Sequence, residues 1–420
     1  MWKYPRKPFW PYCSRLGGRA ADLEVEGWRL ESERAMDYDL GIYLHIPFCR
    51  RKCNYCDFLS FVPSPETVTA YLEALKQEMA LAAAAWPRLT SFPLPSVTSV
   101  YLGGGTPSLL SGEQLQDVLD GLRRHFGVAP GAEITVEANP GTVDAAWLAA
   151  AEAAGANRLS LGVQAFNDRL LGSMGRLHTA REARDAVSLA RECGFSNVGI
   201  DLIYGLPGQS LADWRETLAE AVGLVPEHIS CYGLEIHPGM PWGVLAARGE
   251  ISLPDEDLWE EMFGFTDSFL TGCGYRHYEI ANYCRPGRES RHNLRYWQRR
   301  DYLGFGLGAA SMVGCRRWRN HEKLPAYLAA LETGKLPVAD GEEMTVAEVL
   351  AEVFILGLRL LNGLDLERAA REFPEADWPR VRQTIARLEA VGLVERCGPV
   401  LRLSRRAWPV ANEVFAEFLG

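Results

Sequence analysis

Short apolar runs rich in β-branched residues alternate along this chain with longer segments of helical spacing. That alternation restricts the fold more than any other feature. The runs cover 41–46, 97–102, 133–138, 157–163, 197–203 and 229–236, and the intervening segments 66–85, 112–125, 145–153, 180–193 and 211–222. Strands separated by helices predict a parallel sheet, because parallel neighbours need a long crossover and cannot be joined by a tight hairpin. Several runs are apolar at nearly every position, as strands covered on both faces are. The expected class is α/β, with about six parallel strands in an open or closed β/α barrel.

Barrels of this kind carry their chemistry at the C-terminal ends of the strands, and the polar motifs obey that rule. Cys49 follows the first strand, and Gly103-Gly104-Gly105-Thr106-Pro107 follows the second. Glu137 and Asn139 end the third, and Gln164 follows the fourth. Asp201 falls in the fifth, just before Gly205-Leu206-Pro207-Gly208. Loop glycines are ordinary at such turns, but so much polar chemistry on one rim is not.

Beyond 236 the pattern changes. Residues 241–248 read as a loop, 255–271 as a helix and 276–283 as one strand. A smaller α+β domain is expected from about 340, with helices near 347–360, 366–372 and 380–391. A hairpin over 393–403 turns at Cys397-Gly398-Pro399, and a last helix covers 408–418. Helices followed by such a hairpin resemble a winged helix. Arg380, Arg382, Arg387, Arg402, Arg405 and Arg406 give this part some positive charge, but the whole chain carries a net charge of −10. No nucleic-acid partner is therefore expected, and a cap or protein-contact module is favoured. The expected division is an N-terminal extension at 1–37, a barrel core at 38–240, a barrel extension at 241–339 and the C-terminal domain at 340–420. The opening stretch is rich in tryptophan and proline, then polar. It is expected to lie outside the folded unit, upstream of a start at Met36. No run of about 18 apolar residues suggests a membrane-spanning helix.

Ten cysteines in 420 residues is not the density of a disulfide scaffold. Cys49, Cys53 and Cys56 crowd into one loop with C-x3-C-x2-C spacing. Thiolates hold iron–sulfur clusters, usually four to a cubane, so three leave one iron open to an outside ligand. Arg50, Arg51 and Lys52 sit inside the loop and favour thiolates over thiols. Zinc is the rival metal, but a structural zinc site wants a second spaced pair, and none follows.

On these residues, and on His45-Ile46-Pro47-Phe48 before them, the chain resembles the radical-SAM superfamily. The resemblance implies a partial β/α barrel whose open iron chelates the methionine part of S-adenosylmethionine (SAM). An electron from the cluster then cleaves SAM to a 5′-deoxyadenosyl radical. The likeness extends to coproporphyrinogen-dehydrogenase-type members through Val136-Glu137, Leu159 to Phe166, Gly175-Arg176 and Asp201 to Gly208. It implies SAM contacts at Tyr43, Tyr55, Gly104, Gly105, Thr106, Glu137, Gln164, Arg176 and Asp201. The chemistry agrees: carboxylates accept from ribose hydroxyls or the ammonium, Arg176 suits a carboxylate, and glycines expose N–H donors.

Within that group the chain resembles the heme-chaperone branch. Phe58 stands where the dehydrogenase carries a fourth cysteine, and His292-Asn293, then Tyr296-Trp297, form the HNxxYW motif of that branch. The resemblance implies heme as cargo, His292 as a heme ligand and hemoproteins, such as membrane-bound respiratory enzymes, as recipients. It also implies a cytoplasmic location, peripheral to the membrane at most, and is compatible with a homodimer. The electron donor is not indicated. Many relatives carry histidine where this chain has Ala310, so a role for that position does not transfer. The alternative is an enzyme that oxidatively decarboxylates coproporphyrinogen III.

Overall fold

The computed structural model describes residues 39–90 and 93–419. The expected extension at 1–37 lies outside them. Six strands pair in parallel and in chain order: β1 (Asp39–Ile46), β2 (Ser96–Gly104), β3 (Val128–Ala138), β4 (Arg158–Gln164), β5 (Val198–Tyr204) and β6 (His228–Gly233). The helices between them are α1 (Pro65–Leu89), α2 (Gly112–His125), α3 (Ala145–Ala153), α4 (Asp168–Met174), α5 (Ala180–Glu192) and α6 (Leu211–Gly223). α2, α5 and α6 each begin with a reciprocal capping box, Ser111 with Gln114, Thr179 with Glu182 and Ser210 with Asp213. These caps satisfy the first free N–H groups and fix where each helix starts. α1 packs on α2, α2 on α3 and α3 on α5, so these helices line one side of the sheet, as barrel connections do. Leu40, Ile42, Leu44, Val100, Leu102, Leu159, Leu161, Ile200 and Leu202 are fully buried in the main core.

The remaining elements of the sheet depart from expectation. Residues 241–248 are not a loop but carry α7 (Pro241–Ala247), whose proline sits in the first turn, where a missing N–H costs nothing. After α8 (Glu256–Gly272), the single strand expected at 276–283 is a hairpin of β7 (Arg276–Glu279) and β8 (Asn282–Cys284). Next come α9 (Arg291–Trp297), β9 (Tyr302–Phe305), β10 (Ala310–Val313), β11 (Arg316–Asn320), α10 (Leu324–Glu332) and β12 (Val338–Glu343). β9 joins the free edge of β1 in parallel, and β10 to β12 continue from it antiparallel. The completed sheet has 12 strands and ends at β12 and β7. β11 and β12 are mostly charged or polar, so no apolar run betrayed them.

The C-terminal part builds α11 (Val346–Gly357), β13 (Leu364–Asp365), α12 (Leu366–Glu372), α13 (Trp378–Ala390), β14 (Val394–Cys397), β15 (Val400–Leu403) and α14 (Ala411–Ala416). Its strands form a separate sheet of order β13-β15-β14 around a second core. The expected last helix opens instead as a 3-10 turn over Arg405–Val410, since Pro409 interrupts α-helical hydrogen bonding. Ion pairs of Arg405 with Asp267 and of Arg299 with Glu352 tie this part to the barrel.

Glu78 on α1 holds the β9–β11 region from inside. Its carboxylate accepts from Gly306 N–H (2.8 Å), Asn320 Nδ2 (2.6 Å) and Tyr327 OH (2.6 Å), and the residue is 2% exposed. Burial pushes its carboxyl up to about 7, while the three donors pull it down. Glu78→Gln places an amide N–H against one of these donors and leaves it unsatisfied. A loss of about 1–3 kcal/mol is expected, read from denaturant midpoints.

Candidate metal and cofactor site

The cysteine loop leaves the C-terminal end of β1 and is tied down on every side. At its base Cys49 N–H donates to Phe61 O (2.9 Å) and Phe61 N–H to Pro47 O (2.8 Å). At its tip Asn54 N–H donates to Met174 O, and Trp242 N–H to Asn54 O. The ends of α4 and α7 thus hold the loop between them. Cys49, Cys53 and Cys56 are all half-buried. Among the described residues, no three Cys, His, Asp or Glu side chains converge on one point. Zinc needs four ligands gathered around a single ion, whereas thiols spread along a loop suit a larger cluster.

Burial and the neighbouring thiols disfavour a free thiolate in this loop. Burial pushes the Cys56 thiol up to about 11; Lys52 and the Phe58 backbone pull it down, and Cys53 and Cys49 push it further up. Three thiolates in one field, partly desolvated, are costly unless a metal takes up their charge. The donor set therefore fits an iron–sulfur cluster.

The glycine segment at the end of β2 lies against this loop. Gly105 N–H donates to Ile46 O at 2.8 Å. A Cβ on Gly105 would stand 2.6 Å from Phe48 O, so only glycine permits the approach. Gly104 has φ +111°, and a Cβ there would meet the His45 ring at 2.4 Å. Thr106 Oγ1 lies 3.6 Å from Cys49 Sγ and accepts from Asn139 Nδ2 at 2.9 Å. Arg176 donates to Asn139 Oδ1 and Gly162 O, and reaches Cys53 Sγ at 3.8 Å. Loop, glycine segment, β3 end and the loop after α4 thus form one connected rim.

Two carboxylates stand along it. Glu137 Oε1 accepts from Tyr101 OH (2.7 Å) and Oε2 from Gly104 N–H (3.1 Å). Burial raises its carboxyl to about 7; nearby Asp201 adds to this, and Tyr101, Gly104 and Arg158 oppose it. Asp201 accepts from Ser160 Oγ (3.0 Å), and burial likewise raises its carboxyl. Gln164 ends β4 at φ +69°, strained for a residue with a side chain, beside a register shift between Gly162 and Gln164. Tyr43 OH lies 3.0 Å from His45 Nδ1, and Tyr55 packs on Trp242 with ring centroids 5.9 Å apart. Phe58 is 62% exposed at the outer edge of the loop.

His292 is placed elsewhere. It lies on α9, against the earlier parts of β2 and β3, with no exposed surface. Nδ1 is 3.0 Å from Ser99 Oγ and Nε2 is 2.9 Å from Tyr296 OH. The ring is buried and both of its nitrogens are engaged in hydrogen bonds. Tyr101 supports the rim but lies in no motif, whereas His45 and Ser160 fall within strings that carry the resemblance. The one signal for Tyr101 is the alternation of polar residues along a strand, as for Tyr43 and His45 or Glu133, Thr135 and Glu137, which share a face.

The open parallel sheet, its cysteine loop and its glycine rim define a radical-SAM protein. The profile of the Radical SAM superfamily matches residues 43–221, and that of the HemN C-terminal domain residues 344–410. The Mycobacterium tuberculosis protein named heme chaperone HemW is 38% identical over 389 residues, covering 90% of this chain and 95% of the relative. The Bacillus subtilis heme chaperone HemW is 35% identical over 379 residues, covering 90% and 98%. Among solved structures, the coproporphyrinogen III oxidase HemN of Escherichia coli, described as a radical SAM enzyme, superposes with a TM-score of 0.78. It is 27% identical and covers 91% of this chain and 90% of that one. The chain belongs to the heme chaperone HemW family. Among the described residues, no helix is long and apolar enough to cross a membrane.

Burial holds the His292 imidazole at about 3, with Arg295 and Arg158 contributing. An unfolded histidine protonates near 6.5. The neutral ring therefore contributes stability above pH 6.5 that is lost as pH falls toward 3. Relative to His292→Phe, the protein is expected to lose about 1.4 kcal/mol per pH unit across that window. Denaturant midpoints of the two proteins, compared at each pH, measure it.

Proposed function

We propose that this chain is a radical-SAM heme chaperone. Cys49, Cys53 and Cys56 hold a [4Fe–4S] cluster, and SAM lies across the rim formed by Tyr43, Tyr55, Gly104, Gly105, Thr106, Glu137, Gln164, Arg176 and Asp201. The observation that carries the reading is the contact between the glycine segment and the cysteine loop, since it sets Thr106 beside Cys49 and brings the Glu137 carboxylate to the same rim. Arg176 is positioned for a carboxylate, and Glu137 and Asp201 for an ammonium or ribose hydroxyls. When bound, the cluster supplies an open iron and one-electron chemistry; the protein supplies orientation and a fixed field. Heme is the cargo, passed to hemoproteins such as respiratory enzymes. His292 on α9 is the proposed ligand to its iron.

A second reading, oxidative decarboxylation of coproporphyrinogen III, is favoured by the likeness to the Escherichia coli HemN structure. Phe58, where that enzyme type has a cysteine, weighs against it.

Anaerobically reconstituted protein titrated with heme is expected to bind it stoichiometrically by absorption spectroscopy, with that binding lost or altered in His292→Ala. Under reducing conditions with SAM, coproporphyrinogen III is expected to remain unconverted. Formation of stoichiometric protoporphyrinogen IX would sink the chaperone reading.

A further inference from the structure

Three rings form a stack that runs from α9 to the rim. The His292 imidazole lies on Tyr101 with centroids 5.4 Å apart and planes 28° from parallel. Tyr101 in turn lies against Tyr43, at 6.3 Å and 25°. The polar end of Tyr101 is not free, since its hydroxyl donates to Glu137 Oε1, whose partner oxygen accepts from Gly104 N–H. The other end of the stack is anchored too. The Glu133 carboxylate accepts from the backbone N–H of Arg291 and of His292, while Ser99 and Tyr296 grip the ring. α9 therefore reaches the glycine segment through one half-buried side chain.

We infer that His292 is a positioning residue for the SAM site: it holds the Tyr101 ring so that the Tyr101 hydroxyl orients Glu137 beneath the glycine segment. The HNxxYW helix then acts on SAM from below the rim. This inference rests on the reading of Glu137 as a SAM contact. The physical basis is ordinary. A carboxylate in a desolvated site keeps its direction only while its donors are fixed, and a flat ring is fixed by rings stacked on both faces.

The charge state of Glu137 supplies a readout that general loosening of the fold would not move. Glu137 is faced by Tyr101 from β2, Tyr43 from β1, Arg158 from β4, Asp201 from β5, Tyr232 from β6 and Tyr296 from α9. Burial and Asp201 raise its carboxyl to about 7, and Tyr101 is the largest of the groups that lower it. An ionised Glu137 accepts from the SAM ammonium or a ribose hydroxyl, so SAM affinity should rise as pH passes through this range. Loss of the Tyr101 hydroxyl, or of its fixed position, moves that rise to higher pH.

The test is equilibrium dialysis of SAM against anaerobically cluster-loaded full-length protein across a pH series. Tyr101→Phe, which keeps the ring and the stack, is expected to weaken binding near neutral pH by roughly tenfold and to shift the midpoint upward. His292→Ala is expected to shift it in the same direction, and His292→Phe, which restores a stacked ring, to reverse much of the shift. If SAM binds the unaltered protein but His292→Ala does not move the midpoint, the inference falls and the SAM reading stands. If SAM does not bind the unaltered cluster-loaded protein, both fall. Should His292→Ala not fold, His292→Leu, which fills the space without a flat ring, takes its place and is read in the same way.

Discussion

The parallel pairing of β1 with β2, closed by the hydrogen bond from Gly105 to Ile46, is the constraint on which the rest of the site depends. Parallel neighbours end on the same side of a sheet, so whatever follows each strand meets at one rim. Here the first strand is followed by three cysteines and the second by three glycines. The absence of a Cβ at Gly105 lets the two backbones come into contact. A side chain there would push the glycine segment off the loop, and the Thr106 contact with Cys49 would be lost.

Electrostatics then separate the rim into regions of opposite preference. Around the thiols, Lys52 and Arg176 place positive charge, which suits sulfur ligands that must be deprotonated to bind metal. On the sheet beside them, Glu137 and Asp201 are held under burial with raised carboxyl groups, braced by Tyr101, Ser160 and the Gly104 backbone. Such a pair suits a zwitterionic or cationic ligand better than an anionic one, and it does so only because the hydroxyls beneath are fixed in place.

Much of this was legible from the chain alone. The parallel strands could be read because each is a short apolar run flanked by helical patterns. The rim could be read because its motifs follow successive strands. The strands β11 and β12 could not, since Arg316 to Asn320 and most of Val338 to Glu343 are polar and gain their place only by pairing. The single strand expected over 276–283 hid a turn at Ile280-Ala281, a dipeptide without the glycine or asparagine that marks tight turns. α7 was hidden because Pro241 reads as a breaker unless it is known to open a helix.

His292 marks the boundary between the two kinds of knowledge. Its motif stands out in the sequence, and imidazole chemistry suggests a metal. Which face of α9 it occupies, and how deeply α9 sinks against β2 and β3, depends on Glu133, Ser99 and Tyr101, residues more than 150 positions away. The sequence by itself determined the order of strands and helices and the cysteine and glycine loops at their ends, because those follow from local pattern and from the geometry of parallel pairing. Only the tertiary structure decided that the three thiols share a field with Arg176, and that His292 is enclosed beneath Tyr101. Burial and charge coupling arise from side chains that the chain brings together only after it has folded.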